Sequence, residues 1–197
     1  MIASALQLLI HELEQFLKRQ DDSVEIRLDN IALLETSGSN SLTDSIIISL
    51  VNIEEESTKK NHPALKRPFG NTAIYENPPV FLNLYILLTC NYSGDKYVDA
   101  LRRLSSIIKF LQRNPSFSNT SSLTGGMVGA DPDLPDLRFT MELYTLTFEQ
   151  INHLWGSLGG RQIPFVLYKL RLVSISDHVT VRETPLIEEI ETSLNPK

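Results

Sequence analysis

Three consecutive glutamates, Glu54, Glu55 and Glu56, close the apolar run IIISLVNI that begins at Ile46. Neighbouring carboxylates are raw material for acid–base or metal chemistry, but such work needs two that face each other across a substrate. In a strand, Glu54 and Glu56 point to one side and Glu55 to the other, so a facing partner has to come from elsewhere in the chain. The plain alternative is a strand that leaves its sheet here and ends in water. The rarity of unpartnered buried charge favours that alternative.

The other reactive residue types assemble no site. His11, His62, His153 and His178 have no H-x-H or H-x-x-x-H spacing, so no zinc triad is readable. His153 beside Trp155 reads as packing or interface rather than a ligand. Asp131, Asp133 and Asp136, with Glu142 at the twelfth position counted from Asp131, imitate a calcium loop. Pro135 occupies a ligand position, however, and the obligatory glycine is missing. Gly125-Gly126-Met127-Val128-Gly129 lacks the Lys-Ser/Thr of a phosphate cradle. Cys90 is the single cysteine and sits mid-strand as a small hydrophobe. No catalytic residue, metal or cofactor is expected.

The elements that would carry these residues follow from periodicity. Ile2, Leu6, Leu9, Leu13 and Phe16/Leu17 predict an amphipathic helix to about Arg19. Residues 23–34 alternate weakly, as a strand or two short ones. Residues 46–53 and 80–92 are apolar on both faces and predict strands buried on both sides. Residues 95–112 predict the clearest helix, with Tyr97, Leu101, Leu104, Ile108 and Leu111 as its core stripe. Asp95 reads as its N-cap or first-turn acid, and Pro115 closes it. Residues 137–146 alternate as a strand. Thr147 to Gln150 matches a capping box that opens a short helix, and Gly159-Gly160 supplies the left-handed turn that ends it. Residues 164–175 predict a last strand. Long irregular stretches separate these elements at 57–79 and 114–136.

The order predicts an α+β domain over residues 1–176, with a four- to five-stranded mixed or antiparallel sheet and flanking helices. An acidic tail at 177–197 reads as extended. At 197 residues one core can bury about 70% of the unfolded surface, so no disulfide or metal staple is required. A formal net charge of −6, with scattered basic pairs, argues against nucleic acid or an anionic membrane as partner. The first helix has no basic leader and is interrupted by His11, Glu12 and Glu14. That pattern is unlike a signal peptide or membrane span, and a cytoplasmic origin is expected.

Three stretches carry more than a generic pattern: SLVNIEEEST (49–58), NPPVFLNLYILLTCNYS (77–93) and FEQINHLWGSLGGRQIPFVLYKLRLV (148–173). As a set, and most specifically through LWGSLGGRQIPFVLYKLR, they resemble the N-terminal domain of tail-terminator, or cap, proteins of phage-tail-like contractile injection systems. The resemblance runs from the first helix to about Ile175. It implies a non-enzymatic protein that forms a six-membered ring on the last layer of inner tube and contractile sheath and stops both from growing. Its partners would be further copies of itself, the terminal tube and sheath subunits, and a longer cap paralogue. It would be made in the cytoplasm and carried in the assembled particle.

Under that resemblance, Asn52, Glu54, Glu55 and Glu56 are expected to form a polar arm projecting beyond the sheet. Trp155, Gly159, Gly160 and Arg161 form a turn facing a neighbour, with a core anchor as the equal alternative for Trp155. Two other functions stay open at this level: a small-molecule enzyme using Glu54 to Glu56 with His153 or His178, and an adaptor that docks another tail component without forming a ring.

Overall fold

The computed structural model describes residues 1–33, 42–59, 65–66, 72–92, 94–118, 137–175 and 180–185. The chain opens with α1 (Ile2–Lys18), whose Leu6, Leu9, Leu13 and Leu17 are buried as their spacing requires. The strands that follow are β1 (Ile26–Leu28), β2 (Ser45–Glu55), β3 (Leu65–Lys66), β4 (Thr72–Glu76) and β5 (Val80–Asn91). Helix α2 (Tyr97–Arg113), β6 (Ser116–Ser118), β7 (Arg138–Leu143), α3 (Phe148–Ser157), β8 (Phe165–Ile175) and β9 (Thr180–Pro185) complete the order. None of the described helices is long and apolar enough to cross a membrane.

Six strands form one mixed sheet in the order β1-β2-β5-β8-β7-β6, parallel at β1–β2 and antiparallel elsewhere. The α+β class with a mixed sheet matches expectation, while the strand number exceeds it. Part of the difference is β6, which lies within the stretch 114–136 read as irregular. A second sheet, β3-β4-β9, lies in the stretch 57–79 and in the segment read as a tail, where Thr180–Pro185 is a strand. Its β4–β9 ladder resumes where β5–β8 stops: Val80 faces Ile175, and beyond Pro78-Pro79 Glu76 faces Thr180.

Both faces of the large sheet are covered, which is why β2 and β5 are apolar on both sides. On one face, Ile46, Ile48, Ile86 and Leu88 pack under α1 and α2. On the other, Ile47, Leu87 and Leu167 pack with Ile31, Leu42 and Trp155. The second cluster is smaller because α3 is a ten-residue helix. Its start carries the expected capping box: Thr147 Oγ1 accepts from the Gln150 N–H at 3.3 Å, and Gln150 Oε1 accepts from the Thr147 N–H at 3.0 Å.

Helix α2 departs from the expected packing in two ways. Its N-cap is Lys96, after a 3-10 turn over Gly94–Lys96, and Asp95 makes no cap. Its fully buried positions are Ala100, Ile107, Phe110 and Leu111, while Tyr97 and Leu101 remain 53% and 42% exposed. The apolar arc of this helix is wider than the face its own domain covers. His62, His178, Gly125 to Gly129, Asp131, Asp133 and Asp136 lie outside the described residues.

Candidate functional site

The glutamates do not leave the sheet. Ile53, Glu54 and Glu55 stay paired with Leu84, Asn83 and Leu82 of β5, and the Glu56 N–H donates to the Phe81 carbonyl at 2.8 Å. The projecting arm expected at Asn52 to Glu56 is therefore replaced by a continued ladder, because β5 runs as far as β2 does. A register shift between Leu50 and Asn52 sets Asn52 opposite Tyr85 and Glu54 opposite Asn83.

Two polar rows cross the sheet at this end, on the α3 face. The outer row is built on Glu56, which is only 7% exposed. Its Oε2 accepts from Asn83 Nδ2 at 2.8 Å and from Arg171 Nη2 at 3.4 Å. Its Oε1 accepts from Thr58 Oγ1 at 2.7 Å and from the Thr58 N–H at 3.4 Å. Arg171 reaches on through Nη1 to the Glu142 carboxylate at 3.1 Å. Side chains from β5, β8 and β7 are thus tied to the residue that follows β2. Hydrogen bonds from Asn83 and then Thr58, with Arg171 in support, hold the Glu56 carboxyl down at about 2. Donors to the charged form outweigh burial here.

In the inner row, Tyr85 donates its hydroxyl to Glu54 Oε2 at 2.7 Å. Burial, and then this carboxylate, push the Tyr85 phenol up to about 12. The Tyr144 ring meets Tyr85 edge-on at 5.0 Å, and Lys169 Nζ stands 5.5 Å from the Tyr85 centroid. Both contacts have the geometry favoured by the ring quadrupole. Buried Asn83 Oδ1 and Arg171 Nε have no hydrogen-bond partner among the described residues.

This arrangement suits holding strands in register and presenting charge, and it is poor at proton transfer. Glu56 has its lone pairs engaged and its proton affinity depressed, the reverse of a base poised near neutral pH. The two larger described clefts, about 580 Å³ beside Asp21, Tyr92 and Arg103 and about 420 Å³ beside Phe16 and Phe110, do not include Glu54, Glu55 or Glu56. His153 is exposed, with Glu149 at 3.8 Å. Burial pushes the Cys90 thiol up to about 12, which leaves it inert.

The second group of expected contact residues lies at the other end of β8, roughly 20 Å from Arg171 at the rise of a strand from Phe165. Gly159 and Gly160, exposed with Arg161, have φ of 106° and 83°, and the Gly160 N–H donates to the Trp155 carbonyl at 2.7 Å. Trp155 itself is 4% exposed and packs edge-on against Phe165 at 5.3 Å. It is the core anchor of the second cluster and not a surface residue, because nothing larger on α3 fills that face. The sequence analysis singles out none of Thr58, Asn83, Tyr85, Lys169 and Arg171, and it weighs Glu142 only as a calcium-loop position. Their signal was polar residues at alternate positions inside apolar strands, in NLY (83–85) and YKLR (168–171).

Apart from Glu142, these residues and the glutamates come from the three stretches that carry the family resemblance, brought side by side by strand pairing. The sequence model of the Pvc16 N-terminal domain matches residues 4–189. The chain belongs to this family. The match runs past residue 176 and takes in β9. Among solved structures, the fold is similar to the sheath/tube terminator of the extracellular contractile injection system PVC in its extended state, with a TM-score of 0.67 and 14% identity over 100% of this chain. It is also similar to the tube-terminating cap of the anti-feeding prophage, with a TM-score of 0.63 and 15% identity over 97% of this chain. The domain spans 64% and 60% of those two chains. No curated protein sequence matches it.

Proposed function

We propose that this domain is a structural, non-enzymatic cap on the end of the inner tube and contractile sheath of a phage-tail-like injection particle, where a six-membered ring of copies stops polymerisation. The observation that carries this reading is the likeness of the whole described fold, including the β4–β9 continuation, to a sheath/tube terminator and a tube cap. Its partners are further copies of itself, the terminal tube and sheath subunits, and a longer cap paralogue. It assembles into the particle from the cytoplasm.

The polar rows support this over chemistry on a small molecule. A latch tying four adjacent strands stiffens the sheet end that carries Asn52, Glu54 and Glu55, which are exposed, and rigid sheet ends make precise contact surfaces. With the Gly159 to Arg161 turn at the opposite end, the domain has two separated polar surfaces. A head-to-tail ring needs two unlike surfaces of this kind. Deleting the protein from a particle-producing system tests the function: tubes of uncontrolled length with open ends are expected. Particles of normal length with a closed end would refute it.

A further inference from the structure

We propose that the small sheet β3-β4-β9 is an arm whose direction is set by a clamp on the buried Glu56 at its root, and that breaking the clamp frees the arm without unfolding the domain. The substantial contacts of β3, β4 and β9 are with one another. Of the arm's described side chains, neither Ile74 nor Tyr75 belongs to either core cluster. Among the described residues, packing thus does little to hold this sheet against the body of the domain. The ladder that leads into it is broken as well: Val80–Ile175 is the last pair on the near side and Glu76–Thr180 the first beyond it. Three residues of one strand, 77–79, and four of the other, 176–179, fall between these pairs. Unequal counts bend a strand pair as a β-bulge does, and Pro78 and Pro79 have no N–H with which to bridge the gap.

The remaining connection is fastened. From β2 the chain passes through Glu56 and the 3-10 turn Ser57–Lys59 on its way to β3. Glu56 is gripped from both directions. Asn83 Nδ2 and Arg171 Nη2 hold its Oε2 from the strands of the large sheet, and the Thr58 hydroxyl and N–H hold its Oε1 from the turn. Asn83 lies three residues inside the break on β5, and Arg171 four residues inside it on β8. One carboxylate therefore ties the outgoing chain to the last rows of both strands that feed the arm. Hydrogen bonds to an ionised acceptor are short and strong, and Glu56 is shielded from the water that would compete for them. The clamp thus restrains the turn where the broken ladder and the arm's own packing do not. An arm held at one angle before any partner arrives presents its surface without an ordering cost.

Distances between paired spin labels test this on the full chain in solution, since the single Cys90 is buried and engineered cysteines take the label. Tyr75→Cys on β4 with Tyr97→Cys on α2 measures arm against body, and both positions are exposed. Tyr97→Cys with Leu143→Cys, also exposed, spans the body alone as a control. With Glu56 in place, each pair is expected to give one narrow distance distribution. Glu56→Gln turns an acceptor oxygen into a donor group facing donors, and it is expected to broaden the arm distribution while the control stays narrow. Thr58→Val, at an exposed position, removes only the hydroxyl tie from the turn. It is expected to broaden the arm distribution less and to leave the melting temperature unchanged. A broad arm distribution with Glu56 and Thr58 intact would overturn the proposal, as would an arm in either variant as narrow as in wild type. Broadening of the control pair would overturn it too, because the clamp would then be holding the large sheet together instead of aiming the small one.

Discussion

Replacing Trp155 by Ala and by Phe should give very different losses of stability. Trp155 fills the small core on the α3 face, against Phe165 and above Ile47, Leu87 and Leu167. Truncation to Ala removes this contact and leaves a cavity that a short helix cannot collapse to fill, a loss of about 3–5 kcal/mol. Against a typical total of about 5–15 kcal/mol, that brings the domain close to unfolding. The Phe variant keeps an aromatic ring on the same Cβ and loses only the outer part of the fused indole. The Trp155 Nε1–H is buried without a partner among the described residues, so no hydrogen bond is given up. The desolvation cost of that donor, about 1–3 kcal/mol, is recovered instead. The two terms nearly offset, and Trp155→Phe should cost below about 1.5 kcal/mol. Urea unfolding followed by circular dichroism measures both variants, with equal slopes as the check that midpoints report stability. A Phe variant as damaged as the Ala variant would refute the reasoning, since the indole N–H would then be satisfied by a bond that matters. As Trp155 is the only tryptophan, wild-type fluorescence adds a second check: its emission should not move on ring assembly.

Glu56 gives a pH signature. Its folded carboxyl is depressed from 4.5 to about 2, so its contribution is fully present above the ordinary value and is lost as pH falls toward 2. Unfolding midpoints should drop over that window in wild type, with a visibly shallower drop in Glu56→Gln. Gly160→Ala should cost about 1–2 kcal/mol from the left-handed φ of 83° alone, since a Cβ there meets open space; thermal melts measure it. The Cys90 thiol should resist thiol reagents at pH 8 in the native protein and react at once in denaturant, because burial holds its proton until about 12.

Local patterns carried the elements whose partners are close in sequence or whose burial is two-sided. The spacing of Ile2, Leu6, Leu9 and Leu13 placed α1, Thr147 to Gln150 placed the start of α3, and Gly159-Gly160 its end. The apolar character of residues 46–53 and 80–92 marked strands covered on both faces, which holds over 46–48 and 84–88. What stayed hidden depended on distant partners. Thr72–Glu76 becomes a strand by pairing with Leu65–Lys66 on one side and with Thr180–Pro185, from across the chain, on the other, and none of these segments has a period that announces this. The α2 stripe was misplaced because Tyr97 and Leu101 continue the apolar arc beyond what α1 and the sheet cover, and spacing alone cannot tell a covered residue from an uncovered one. Glu56 looked like a solvated strand end because its donors, Asn83 and Arg171, lie on other strands. The register shift between Leu50 and Asn52, which sets the pairing at this end, has no local signature.

The central claim, that this domain caps a tube and sheath as a ring of its own copies, meets its most direct test in imaging of intact particles by electron cryo-microscopy. Density for a ring of six copies stacked on the last layer of tube and sheath is the predicted result. Particles whose ends are closed without this protein, or that carry a single copy away from the end, would contradict it.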